Sequence, residues 1–137
     1  MPENVLIIES WRAVFREGFA PALSTAGLEA LAKALREDDE KVQQCGTTVV
    51  GWGFDPAKNE PVCCCPIAYA IWKGEDVQTA EDVDIAFDQV CKEAGDESVL
   101  FIRWVDSVPR EQMLDQLLPE VESVLAERKK EVPSHSS

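Results

Sequence analysis

Between Thr79 and Gly95 the apolar residues fall at Val83, Ala86, Phe87, Val90, Cys91 and Ala94, a spacing that gathers onto one face only in an α-helix. Thr79 supplies an N-cap oxygen, Asp82 three residues on completes a capping-box pattern, and Gly95 provides the stop. The outward positions carry Glu81, Asp82, Asp84, Asp88 and Glu93, so solvation and burial agree on the same helix. A chain whose clearest element is a one-sided helix has to bury that stripe against neighbours, and the rest of the sequence offers mostly helices for the purpose.

Ile7, Trp11, Val14 and Phe15 form a first helical stripe, expected to stop near Gly18. Ser24 and Thr25 offer cap oxygens for a second, in which Leu28, Leu31 and Leu35 run up to the acids Glu37 to Glu40, with Val42 and Cys45 as an extension or restart. Val99 to Val105 is apolar at nearly every position. It fits a buried strand or a buried helix, and the helix is favoured because a strand there has no strongly strand-like partner for its backbone groups. Pro109 opens a last helix with the stripe Met113, Leu114, Leu117, Leu118, Val121, Val124 and Leu125, in which Pro119 predicts a kink or two helices meeting near Leu118.

The 3.6-residue period is lost between Gly46 and Gly74. Thr47 to Val50 is β-branched, and Asp55-Pro56 followed by Lys58 to Pro61 reads as a turn, so a small β-hairpin or ordered loop is expected at about residues 46–62. Pro66 fits the first turn of a short buried helix over Ile67 to Trp72, with a strand as the rival reading. The expected fold class is all-α: a compact single-domain bundle of five to six short helices over residues 1–132, followed by a disordered polar tail at 133–137. At 137 residues such a domain can build a core without metal or disulfide.

Charge narrows the function classes. There are 13 Lys and Arg against 26 Asp and Glu, a formal −13, and this repels nucleic-acid phosphates. Arg128, Lys129 and Lys130, the one basic run, are read as complementing the dipole of the last helical turn. No apolar stretch is long enough for a membrane span, and no export signal precedes Val5 to Ile8. With five Cys, an odd number, the expectation is a soluble cytoplasmic protein with free thiols.

The single His, His135, lies in the expected tail, so Ser-His-Asp and Cys-His nucleophiles and His-based zinc sites have no imidazole to use. Phosphate-cradling, dinucleotide and EF-hand patterns are absent. The many carboxylates sit at positions read as solvent-facing, which leaves a carboxylate-based hydrolase with little behind it. The reading leans against an enzyme, and no cofactor is expected.

Three features remain. Cys63-Cys64-Cys65 before Pro66 are weak candidates for a metal or redox thiol site: a Cys65 at the N-cap would have its thiolate favoured by the helix dipole. Three consecutive side chains do not converge on one ion, however, and the plainer reading is buried packing. Trp52 and Phe54, in Gly51-Trp52-Gly53-Phe54, are candidate interaction residues, though a loop folded back to cap its own core is the favoured alternative. Finally, Glu75 to Ser98 holds nine acids against Lys92, a net −8 of the total −13. Glu81, Asp84 and Asp88 on that segment are candidates for steering a basic protein partner, with a merely solvated face as the simpler account. The leading expectation is a small acidic non-enzymatic protein-protein interaction or regulatory module. The alternative is a thiol-dependent metal-binding or redox-sensing protein centred on Cys63 to Cys65.

Overall fold

The computed structural model describes residues 10–44, 48–75 and 77–131, and all structural statements below concern those residues. The fold is all-α with one two-stranded antiparallel sheet. Ile7, Cys45, the expected tail with His135, and part of the Gly46 to Val50 reading lie outside the described residues.

The first helix, α1, is α-helical over residues 10–13, widens to a π-helical stretch at Val14–Phe19 and closes as a 3₁₀ turn at Ala20–Ala22. The sequence expectation of a stop near Gly18 is corrected. A Cβ at Gly18 would stand 3.1 Å from that of Ala94, so glycine serves close packing there, and the helix runs on to bury Phe19 and Ala20. Trp11, Val14 and Phe15 line the buried side, as the stripe predicts, and Phe19 extends it beyond the expected end.

Ser24 caps α2, Thr25–Arg36, by accepting from the Gly27 N–H at 3.0 Å. Its end is a Schellman motif: Asp38 adopts φ 53°, the Asp38 N–H reaches Leu35 O, and the Asp39 N–H reaches Ala34 O at 2.9 Å. Val42 therefore neither extends nor restarts the helix. It is buried and bridges to Cys64 in parallel register.

The hairpin pairs β1, Thr48–Val49, with β2, Cys63–Cys64, in the register Thr48 to Cys64 and Val49 to Cys63. Cys65 then caps α3, Pro66–Gly74, whose side chains from Pro66 to Trp72 are all buried. The helix reading of 66–72 holds, with the strand confined to the residues just before it. Helix α4, Ala80–Ala94, has the predicted Thr79 cap, with the Asp82 N–H donating to Thr79 Oγ1 at 3.1 Å, and Gly95 at φ 88° ends it. Residues 99–105 are helical within α5, Ser98–Ser107. Helix α6, Arg110–Glu131, contains Pro119 without dividing there, so of the two expectations, a kink or two helices, the division into two is corrected. Proline removes only its own N–H, and the buried Glu120 and Val121 that follow hold the segment to the core.

Every helix contributes to one apolar cluster. Trp11 of α1 stacks on Trp104 of α5 with centroids 3.5 Å apart and planes 7° from parallel, and Phe101 lies against Trp11, Phe15 and Phe19 at 5.2 to 6.2 Å. Arg128, Lys129 and Lys130 stand in the last turn of α6, as expected, and Arg128 has a second role. Its guanidinium reaches across to the Ala20 carbonyl at 2.8 Å and Thr25 Oγ1 at 3.1 Å, closing the junction of α1 and α2. No helix among the described residues is long and apolar enough to cross a membrane.

Candidate interaction surface

The first turn of a helix leaves backbone N–H groups without intrahelical partners, and in α4 the hairpin supplies them. Ala80 N–H donates to Asn59 O at 2.8 Å and Glu81 N–H to Pro56 O at 3.0 Å. Further along, Thr48 Oγ1 donates to an Asp84 carboxylate oxygen at 2.8 Å. The connection between β1 and β2 is thus fastened to the start of the acidic helix, and β1 itself to the next turn.

Within that connection the Phe54 N–H donates to Gly51 O at 3.0 Å, a β-turn with Gly53 at φ 85°, a conformation that favours glycine. A Cβ on Gly51 would fall 2.6 Å from the Phe54 ring, so glycine also lets that ring fold against the backbone. Asp55 then organises the next bend, accepting from the Ala57 N–H through its side chain and from Lys58 and Asn59 through its carbonyl.

The turn holds Trp52 outward. It is 99% exposed and Phe54 60%, which overturns the expectation that the loop folds back to cap the core. The reason is geometric: the turn's hydrogen bonds point its middle residues away, while Cys64 and Val42 close the core beneath the sheet. Val49 on β1 and Val62, just before β2, are exposed as well.

On α4, Glu81, Asp82, Asp84 and Asp88 are exposed as read from sequence, but so is Ile85, at 63%. Ile85 and Asp88 line two shallow grooves of about 520 Å³ each. One is shared with Thr48, Asp84 and Phe87, the other with Val77, Asp82 and Gln89. The outer face of α4 therefore exposes Ile85 among carboxylates, with Lys92 at the edge of the second groove. Ile85 was missed because it falls outside the buried stripe. The readable signal was an isoleucine at a position that otherwise calls for a polar residue.

The cysteines are arranged differently from a thiol site. Cys63 and Cys64 belong to one strand, whose successive side chains point to opposite faces, and Cys64 is fully buried. Cys65 does sit at the N-cap, its sulfur accepting from the Ala68 N–H at 3.5 Å. Burial nevertheless outweighs the helix terminus and pushes its thiol up to about 12, against the lowering by the Ala68 and Ile67 N–H groups. Burial raises Cys64 further still, and raises Cys91 with help from Asp88. These three are therefore neutral thiols at neutral pH. Among the described residues no group of three or more His, Cys, Asp or Glu is placed to hold a metal ion, and Cys63, Cys64, Cys65 and Cys91 are unbridged.

One carboxylate escaped the sequence reading. Glu120 is 6% exposed and receives Arg12 Nη1 and Arg16 Nε at 2.6 Å each. The signal was its place on the apolar stripe of α6, three residues after Leu117 and one before Val121. Both of its oxygens are taken by the arginines of α1, so it joins two helices and offers no open acid to a substrate. Comparison with known proteins finds no family model, curated protein or solved structure that matches the chain.

Proposed function

We propose that this chain is a non-enzymatic interaction or regulatory module that holds a basic protein partner on the surface shared by the Gly51–Phe54 turn and the outer face of α4. One observation carries the reading: Trp52 stands fully in solvent on a turn whose flanks are hydrogen-bonded to the acidic helix. Exposing an indole forgoes the burial that the other three tryptophans obtain in the core. Tryptophan is also the residue most enriched among binding hot spots.

The surrounding charge supplies the partner's chemistry. Asp82, Asp84 and Asp88 line the grooves beside Ile85, and the segment from Glu75 to Ser98 holds most of the chain's excess negative charge. Such a field steers cationic partners, while Trp52, Phe54 and Ile85 give apolar anchoring once contact is made. The neutral, unbridged thiols are consistent with work in a reducing cytoplasm.

The test uses the intact chain as immobilised bait at low ionic strength, beside Trp52→Ala and Asp84→Asn/Asp88→Asn baits. The proposal expects a basic protein retained by the parent, released by salt, and lost or much reduced on both variants. Identical retention on all three baits contradicts it.

A further inference from the structure

Away from the α4 grooves, the start of α3 meets α5 and the Phe87 side of α4 around a recess of about 130 Å³. Its walls are Ile67, Phe101 and Val105, all buried, with the half-buried Phe87 and Ile102 at the rim. Close-packed interiors rarely leave so much room, and an apolar cavity of roughly 150 Å³ stays dry and accepts benzene. The space here is thus the size of a single six-membered ring.

The recess has one ionised wall. Asp106, the residue after Val105, lines it, and among the described residues its carboxylate has no cation and no hydrogen-bond donor as partner. The Cys65 sulfur, also on the wall, already accepts from the Ala68 N–H. Asp106 is exposed overall, and its place at the edge of the apolar walls removes part of its hydration and lifts it above the usual aspartate range. A cation delivered to that point would gain a charge-assisted hydrogen bond that water supplies less well there.

We infer that this recess is a binding site for a small aromatic amine, the ring seated among Ile67, Phe87, Phe101 and Ile102 and the ammonium group donating to Asp106. The inference does not rest on the partner surface, with which the recess shares Phe87 alone. Ring and charge contribute separately: the apolar walls hold an uncharged, flat body, and the single carboxylate adds a preference for a donor cation at one end.

The experiment titrates the full chain with benzylamine and, separately, with benzyl alcohol, its neutral analogue, following amide NMR shifts of Phe87, Phe101 and Ile102. The expected result is saturable binding of both, with benzylamine tighter by about tenfold, the scale of one charge-assisted hydrogen bond. Asp106→Asn, an exposed position, should bring benzylamine down to the affinity of benzyl alcohol while leaving the latter unchanged. Ile102→Trp, which fills the rim, should abolish both. Failure of either probe to saturate, equal affinity in the parent chain, or an amine preference that survives Asp106→Asn would overturn the inference.

Discussion

Thr48 Oγ1 donates to the Asp84 carboxylate at 2.8 Å, tying the first strand of the hairpin to the outward side of α4. The bond is solvent-exposed, so its direct contribution to global stability is small. Its effect is local, because each strand is only two residues long and relies on outside support. Thr48→Val should leave the global unfolding free energy within about 0.5 kcal/mol. It should also raise hydrogen exchange at Val62, whose N–H donates to Val49 O. Exchange at Val62 equal to that of the parent chain would show that the hairpin does not need this tie.

Helices α2 and α3 approach through glycine. A Cβ on Gly27 would stand 2.3 Å from the Ala70 carbonyl oxygen, and one on Gly74 only 2.5 Å from Gly27 Cα. Helix propensity alone favours Gly27→Ala by about 1 kcal/mol. The backbone cannot move aside without separating the helices, so steric cost decides the sign, and the variant should lose about 1–3 kcal/mol in urea unfolding. A stabilised variant would contradict this packing.

Glu120 joins α6 to α1 through Arg12 and Arg16. Glu120→Ala leaves both guanidiniums without their shared carboxylate. Because the arginines are themselves partly exposed, water can take over some of their solvation. The expected loss is about 1–3 kcal/mol by denaturant titration, most of which Glu120→Gln should retain as a loss because it removes the charge. No change in either variant would mean the contact contributes nothing.

The thiols give a pH signature. Cys65 is pushed up to about 12, and Cys64 and Tyr69 are raised by burial too, whereas a thiol in the unfolded chain ionises near pH 8.5. Above that pH the unfolded chain binds fewer protons than the folded one, so stability falls as pH rises. The slope is about 1.4 kcal/mol per pH unit for each such thiol until it ionises in the fold. Below pH 8 the contribution is fully present. Urea midpoints between pH 8 and 11 should therefore decline, and Cys65→Ser, which keeps an N-cap oxygen, should flatten the decline. Equal slopes in both chains would contradict a thiol held neutral in the fold.

The helices were legible because their signals are local. The caps at Ser24 and Thr79, the proline at position 66 and the stripes in α2 and α4 all lie within one turn of the residues they organise. What escaped depends on distant chain segments. Gly18 packs on Ala94, Arg128 reaches Ala20, and Glu120 meets arginines over 100 positions away. The site was half readable: composition marked Trp52, Phe54 and the acids of α4. That the loop lies beside α4 follows from hydrogen bonds between the hairpin and Ala80, Glu81 and Asp84, which no spacing encodes.

The partner surface is tested most directly by the dissociation constant of the retained basic protein for the parent chain and for Trp52→Ala. The indole makes no core contact, so the variant should unfold at the same urea concentration as the parent. If Trp52 is the anchor, its loss weakens binding by about thirtyfold, the scale of a hot-spot residue. Equal dissociation constants for the two chains would contradict the account.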